Sequence, residues 1–196
     1  MITRERATRS NHTRGPDIAD GFIVEPYNNH LVTETNGLSE LLERFRRAPE
    51  VIAMMLTGVF GDETDFVAVP GKWSIRQIVR HLADSEMVGA YRFRSVLAEE
   101  DPAIPVYDQT AWASGLNYAV SKPTQSLDFF RRLRADNYEL LKDLPAEAWQ
   151  RAGAHPVRGR MTLRDLTVLY ADHAESHARQ LQAIRDAWKL AKPKKQ

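Results

Sequence analysis

Apolar residues recur at spacings of three and four in four long segments of the chain, which is the pattern of amphipathic helices. Pro49 falls inside the first segment, where it is expected to kink the helix or to start a second one. The third segment keeps the helical period only roughly. We number the predicted helices one to four, and they cover about residues 38–59, 74–99, 124–144 and 162–188.

The starts of predicted helices two and four carry the same capping signal. Ser74 is followed three residues later by Gln77, and Thr162 is followed in the same way by Asp165. In such a pair the hydroxyl accepts the amide of the later residue, whose side chain reaches back to the amide of the first. Both pairs therefore predict where a helix begins.

Strand signals are weak by comparison. The stretches DFVAVP at 65–70 and AIPVY at 103–107 are short and bounded by proline, so we predict loops there. A long connection of about residues 100–122 joins helices two and three. Four amphipathic helices with one long crossover connection predict an all-α fold, a four-helix bundle.

The two ends of the chain lack this periodicity. Residues 1–30 mix arginine, threonine, asparagine, glycine and proline, and we predict a flexible N-terminal tail. Residues 31–190 hold the predicted bundle, and residues 191–196 form a short basic C-terminal tail. Solvation is the expected role of both tails, with nucleic-acid contact as the alternative.

Composition narrows the class of protein. With 43% hydrophobic residues the chain can bury a core, and its net charge of +1 argues against a nucleic-acid partner. It contains no cysteine, which excludes disulfides, thiolate metal sites and a cysteine nucleophile. The polar N-terminus is no secretory signal and no apolar run would span a bilayer, so we expect a cytoplasmic protein without a membrane partner.

Helix four places two histidines where core residues belong. Its apolar stripe advances in steps of three and four, as expected for a helix face packed on a core. Two of the six histidines of the chain, His173 and His177, fall one turn apart on this stripe. The stripe consists of Leu166, Tyr170, His173, His177, Leu181, Ile184 and Trp188.

A buried imidazole needs partners for both ring nitrogens, and an unpaired one costs about 1–3 kcal/mol. A divalent metal satisfies two such histidines at once, because neutral imidazole is a metal ligand. His81 is the best third ligand, since it lies on the inward stripe of helix two with Ser85. The spacing also arises by chance, so histidines in an ordinary core remain the alternative. His155 falls in a predicted loop, where a turn-stabilising role is expected.

Three further residues are candidates for the site. Asp84 follows His81 and could orient an imidazole, although a solvent-facing charge is the simpler interpretation. Arg92 continues the stripe of His81 and could bind an anionic group of a small-molecule substrate, or form a salt bridge to a neighbouring helix. Gln180 lies one turn beyond His177, where it could touch the open metal position and substrate, or edge the core.

Four motifs of the chain together resemble the DinB/YfiT-like family of metalloenzymes. They are GKWSIRQIVRHLADSE, YDQTAWA, GAHPVRGRMTLRDL and YADHAESHARQ, and the resemblance covers about residues 37–188. It implies a four-helix bundle with a long crossover and a divalent metal, zinc or nickel. The ligands it implies are one histidine of the second helix and the pair on the last, here His81, His173 and His177. Family members are often homodimers.

The resemblance also suggests what such a metal does. Some family members resemble transferases that attach a low-molecular-weight thiol to an electrophile, and others carry the label of metal-dependent hydrolase. Three neutral imidazoles leave the metal its charge and an open position, which activates a water or a thiol. Because the chain lacks cysteine, a thiol would come from a cosubstrate. We predict thiol transfer, with hydrolysis or a non-catalytic, metal-stabilised bundle as alternatives.

Overall fold

The computed structural model describes residues 34–191, so both predicted tails lie outside the described residues except for the last helical residue, Ala191. Two 3₁₀ turns, Tyr118–Val120 and Ala146–Gln150, accompany the helices and strands. The helices are α1 (Glu34–Leu56), α2 (Asp62–Asp65), α3 (Ile75–Ala98), α4 (Gln109–Gly115), α5 (Pro123–Leu141) and α6 (Leu163–Ala191), and the strands are β1 (Ala152–His155) and β2 (Gly159–Thr162).

The four long helices α1, α3, α5 and α6 form a four-helix bundle. Helix α3 packs on α5 and α6, and α1 packs on the same two helices from the other side. The apolar stripes meet in two layers of the core, one containing Ile78, Leu82 and Leu181 and the other Phe45, Phe93 and Leu166. The long connection between α3 and α5 contains the short helix α4. The predicted bundle with its long crossover is therefore confirmed.

Both capping predictions are confirmed in atomic detail. The Ser74 amide donates to Oε1 of Gln77 at 3.0 Å, and the two residues form a complete capping box before α3. The Asp165 amide donates to Oγ1 of Thr162 at 3.0 Å, while Asp165 Oδ2 accepts from the Thr162 amide at 2.9 Å. Helix α1 continues through Pro49, so no second helix starts there.

The segment before α6 differs from the prediction. Instead of a loop, residues 152–162 form an antiparallel hairpin in which Ala152 pairs with Thr162 and His155 with Gly159. A β-carbon on Gly153 would lie 2.6 Å from the carbonyl oxygen of Pro102, so the crossover approaches β1 closely there. The strands are short and depend on this tertiary contact. His155 has the predicted turn-stabilising role, because its Nδ1 accepts the amides of Val157 and Arg158 in the hairpin turn.

Polar side chains also occupy the bundle interior. The carboxylate of Glu86 on α3 pairs with Arg134 on α5 at 2.6 Å, and both side chains are only 1% exposed. Asn137 donates to the second carboxylate oxygen at 2.8 Å. Arg134 also donates to the carbonyls of Phe45 and Tyr170, which ties three helices to one guanidinium. Within residues 34–191, no helix has the length and apolar character needed to cross a membrane.

Candidate metal centre

Three imidazoles from two helices converge inside the bundle. The Nε2 atom of His173 lies 2.9 Å from Nε2 of His81 and 2.9 Å from Nε2 of His177. One ligand atom from each of the three residues lies within 4.8 Å of the other two. His81 and His173 are buried, and His177 is partly buried. The group is thus arranged around one point at which Nε2 atoms face one another.

The helices position these rings through their local starts and periods. The capping box at Ser74 fixes where α3 begins, and this places His81 on its second turn, facing α6. His173 and His177 are four residues apart on α6 and therefore share one face, one turn apart. Trp73, just before α3, packs its ring on His81 with centroids 4.8 Å apart. The site thus lies against the apolar core, beside the entry to α3.

The Nδ1 atoms of the three imidazoles differ in their hydrogen-bond partners. Nδ1 of His177 lies 2.9 Å from Oε1 of Gln180, an arrangement in which the imidazole donates and the amide oxygen accepts. Oγ of Ser85 lies 3.3 Å from Nδ1 of His173. Nδ1 of His81 is buried without a hydrogen-bond partner among the described residues. Gln180 therefore leaves Nε2 of His177 without a proton and turned towards the other two rings.

Hydrogen bonds among the three imidazoles cannot satisfy all three Nε2 atoms in this arrangement. Nε2 of His177 is an acceptor, because its neutral ring carries the proton on Nδ1. If Nε2 of His173 carries a proton and donates it to His177, it has no lone pair left to accept from His81. If Nε2 of His173 carries no proton, Nε2 of His177 has no donor. A cation held by His81, His173 and His177 would accept all three lone pairs. Tetrahedral zinc with imidazole bonds of about 2.0–2.1 Å sets its nitrogens roughly 3.3 Å apart, so rings whose nitrogens lie 2.9 Å apart reach that geometry by shifting a few tenths of an ångström. The residues present therefore fit a divalent metal.

The protonation states agree with that chemistry. Burial holds the pKa of His81 well below its usual value, and the His177 ring beside it acts in the same direction. Burial and the neighbouring imidazoles likewise hold the pKa of His173 well below its usual value. Burial lowers the pKa of His177 to about 4, even though its hydrogen bond with Gln180 raises it. All three rings are therefore neutral at neutral pH, which is the form that binds metal.

A small cavity of about 20 Å³ opens beside the imidazoles and gives the site an approach. Helices α3 and α6 supply most of its wall, and the crossover segment closes the side near Tyr107. The cavity accommodates groups about the size of a water molecule. Its lining consists of His81, Ser85, Arg92, Tyr107, Gln109, Leu169, Tyr170 and His173.

The other predicted site residues have different surroundings. Asp84 is 1% exposed, and its carboxylate takes two hydrogen bonds from Arg80, at 2.6 and 3.1 Å. The interpretation of Asp84 as a solvent-facing charge is therefore wrong, because Arg80 pairs with it inside the bundle, and its expected support of an imidazole stays a prediction. Arg92 lines the cavity and donates to the carbonyl of Pro105, instead of making a salt bridge to a neighbouring helix. The side-chain oxygen of Gln180 accepts a hydrogen bond from Nδ1 of His177. The predicted contact of Gln180 with substrate also stays a prediction.

Sequence reasoning missed the part that Ser85 plays. Ser85 lies four residues after His81 on the inward stripe of α3, and its hydroxyl reaches His173 on α6. The stripe itself was the available signal, because a small polar residue on a buried face needs a polar partner there.

The aromatic residues of the crossover pack onto the bundle. Tyr118 is fully buried, and the ring centroids of Tyr107 and Trp112 lie 4.5 Å apart.

The chain belongs to the DinB superfamily, whose sequence pattern matches residues 44–181. YfiT of Bacillus subtilis is 32% identical over 141 residues, which cover 71% of this chain and 75% of YfiT. A protein of Bacillus licheniformis is 27% identical over 165 residues, covering 84% of this chain and 94% of the relative. Both relatives are named as candidate metal-dependent hydrolases.

The solved structure of YfiT from Bacillus subtilis has the same fold. It superimposes with a TM-score of 0.76 and 25% sequence identity, covering 84% of this chain and 94% of YfiT. Its description gives it an unusual four-helix bundle topology and the assignment of a candidate metal-dependent hydrolase. The family resemblance and the fold class predicted from the sequence are therefore confirmed.

Proposed function

We propose that this protein is a metal-dependent hydrolase whose divalent cation is held by His81, His173 and His177. The observation that carries the proposal is the group of three Nε2 atoms, which no arrangement of protons within the group satisfies. Such a cation, bound by neutral nitrogens with a position left open, supplies Lewis acidity that lowers the pKa of a water or thiol nucleophile. The names of the relatives support hydrolysis as the reaction.

The residues around the imidazoles define what the chain itself contributes. Gln180 fixes the proton of His177 on Nδ1, and Ser85 lies against Nδ1 of His173, so these two side chains orient two of the three ligands. Trp73 packs its tilted ring against His81 and adds apolar surface beside that ligand. The cavity lined by Tyr107 and Tyr170 is the approach for substrate. These residues hold the donor set rigid while leaving one side of it open.

Thiol transfer, which the family resemblance favours, remains a second candidate. The chain has no cysteine, so a thiol substrate would meet no competing protein thiolate at the metal. The donor set suits it equally, since three neutral imidazoles leave the full charge of the cation to stabilise a thiolate. Zinc and nickel both accept such a set, and the identity of the metal stays a prediction.

Metal binding is the first test of the proposal. The purified chain is stripped with a chelator and titrated with Zn²⁺ and Ni²⁺, beside His81→Ala and His173→Ala. We expect one ion bound by the wild-type chain and at least about a hundredfold weaker binding by each variant, because two imidazoles remain. His155→Gln is the matched control, since His155 supports the hairpin turn and should leave metal binding unchanged. A wild-type chain that binds neither ion excludes the proposal.

Turnover then separates the candidate functions. The metal-loaded chain is assayed on a panel of esters, amides and epoxides, with and without a low-molecular-weight thiol, and its melting temperature is measured before and after chelation. Hydrolysis that is lost with the metal and indifferent to thiol supports the proposal. Strict dependence on thiol supports the transferase instead. A large loss of melting temperature on chelation, with no turnover on any substrate, supports a bundle that metal merely stabilises.

A further inference from the structure

Arg92 is a buried cation with no anionic partner in the part of the chain that the structure describes. It lies on α3, about two turns after Ser85, and the residue is only 2% exposed. The other fully buried arginine, Arg134, pairs with the carboxylate of Glu86 at 2.6 Å. Removing a charge from water is costly unless an opposite charge compensates for it. The fold therefore keeps one compensated guanidinium and one uncompensated guanidinium inside the same bundle.

The hydrogen bonds of Arg92 do not use up its donors. Nε and Nη2 both donate to the carbonyl oxygen of Pro105, at 3.0 and 2.6 Å, and Nη1 donates to the Tyr170 hydroxyl at 3.2 Å. A guanidinium carries five N–H groups, so these contacts leave two without an acceptor among the described residues. Both accepting oxygens are neutral, and the positive charge of Arg92 is not balanced by them.

The guanidinium lies at the same cavity as the imidazoles. Arg92, His81 and His173 line one space of about 20 Å³, together with Tyr107 of the crossover and Tyr170 of α6. After burial, the neighbouring imidazoles and Arg134, the charge of Arg92 also contributes to the lowered pKa of His173, so its field reaches the metal ligands. An anion entering this space would meet a fixed guanidinium on one side and the proposed cation on the other.

We propose that Arg92 binds a carboxylate of the substrate, so that the substrate class is small carboxylic acids and their conjugates. A guanidinium pairs a carboxylate with two parallel N–H donors, and two is the number that Arg92 has left. The cavity holds only a small group at its inner end and is open on one side, so it favours a planar carboxylate over a bulkier phosphate, with the rest of the substrate outside it. This inference rests on the proposed function, because it places the reacting part of the substrate beside His81 and His173.

Binding of acetate to the metal-free chain tests the inference without any turnover. Acetate presents the carboxylate alone, and acetamide is its neutral counterpart of the same shape. The Nε–Hε resonance of Arg92 is followed by NMR in ¹⁵N-labelled protein during titration with each. We expect a saturable shift with acetate at about millimolar concentration, as suits a ligand of four heavy atoms, and none with acetamide. Identical responses to both compounds, or no response to acetate, overturn the inference.

Variants of Arg92 test whether acetate binds at this residue. Arg92→Lys keeps the charge and loses the fork, and we expect acetate to bind at least about tenfold more weakly. Arg92→Gln removes the charge and should abolish the acetate response. Arg94→Gln is the matched control, because Arg94 is exposed on the same helix and pairs with Asp136. If the Arg92 variants do not fold, as circular dichroism would show, the wild-type resonance alone decides the question.

The outcome is separable from that of the proposed function. A chain that binds zinc but shows no acetate response at Arg92 keeps its metal site and excludes the carboxylate proposal. A chain that fails to bind metal while acetate shifts Arg92 excludes the metal proposal and leaves an anion site in the bundle. Acetate is added to the metal-free chain so that coordination to zinc cannot imitate binding at the guanidinium.

Discussion

The side-chain oxygen of Gln180 lies 2.9 Å from Nδ1 of His177, one turn earlier on the same helix. This contact decides which nitrogen of His177 carries the proton, and so turns the lone pair of Nε2 towards His173. The partner of a metal-ligating imidazole commonly orients the ring in this way. Gln180, which the sequence suggested as a substrate contact, therefore lies where it orients the imidazole of His177.

Replacing Gln180 tests that role. We expect Gln180→Leu to weaken zinc binding by about 10–100-fold, because His177 loses the acceptor that fixes its proton and its orientation. Gln180→Glu should retain or improve the affinity, since a carboxylate also accepts from Nδ1. Competition with a chromophoric chelator gives both dissociation constants. Gln182→Leu is the control, because Gln182 donates only to the exposed carboxylate of Asp186, away from the imidazoles. Equal affinity in Gln180→Leu and Gln182→Leu would contradict the role.

The metal-free protein should lose stability as the pH falls through the range in which its buried histidines titrate. Burial lowers the pKa of His177 to about 4, whereas an unfolded chain has an ordinary pKa of about 6.5. Between these values the unfolded state binds a proton that the folded state refuses, so the free energy of unfolding decreases on acidification. The stabilisation is complete above about pH 6.5, and His177 alone accounts for a loss of about 3 kcal/mol by pH 4.

Urea denaturation at several pH values, with a chelator present, measures this dependence. His81 and His173 act in the same direction, since burial also lowers the pKa of each. His177→Gln should flatten the slope between pH 6.5 and 4 by about 1.4 kcal/mol per pH unit, the value for one proton. Parallel curves for the wild-type chain and the variant would show that His177 is protonated equally in both states.

The long helices and their starts follow from local sequence, which is why they could be predicted. A period of three to four apolar residues and a capping pair such as Ser74 with Gln77 act within a few turns of one helix. The hairpin at 152–162 depends instead on the crossover, where Ala103 forms a bridge with Ala154. Its strands are four residues long, too short for a clear alternation. Tertiary contacts therefore decide what the local pattern leaves open.

Part of the candidate site could likewise be predicted from local sequence, and part depends on tertiary contacts. His173 and His177 could be paired from spacing on one helix, and His81 from the stripe of another, since both stripes face one core. The contact of Ser85 with His173 joins two helices and depends on their rotation and packing, which a periodic pattern does not specify. The missing counter-ion of Arg92 cannot be read from the sequence either, because the two buried acidic residues of α3, Asp84 and Glu86, pair with Arg80 and Arg134 instead.

Gly89 is expected to be intolerant of any side chain. A β-carbon at this position would lie 2.7 Å from Cζ of Tyr170, whose ring packs across α3 at that point. We expect Gly89→Ala to lower the free energy of unfolding by about 1–3 kcal/mol through overpacking, despite the better helix propensity of alanine. Gly115→Ala is the control, because its β-carbon would meet nothing within 4 Å. Equal thermal stability of the two variants would show that Tyr170 moves aside freely.

The buried ion pair of Glu86 and Arg134 is expected to affect the free energy of unfolding most when only one partner is replaced. Glu86→Gln leaves a guanidinium in the core without its counter-charge, and such losses amount to about 3–5 kcal/mol. Replacing both residues, Glu86→Leu with Arg134→Met, should recover much of that stability, because no unpaired charge remains. The exposed pair of Glu43 and Arg46 is the control, and Glu43→Gln should leave the free energy of unfolding nearly unchanged, because water already solvates both charges. Urea denaturation of the four chains measures all three differences. If Glu86→Gln costs no more than Glu43→Gln, water or another group compensates Arg134 and the buried pair is not what holds α3 to α5.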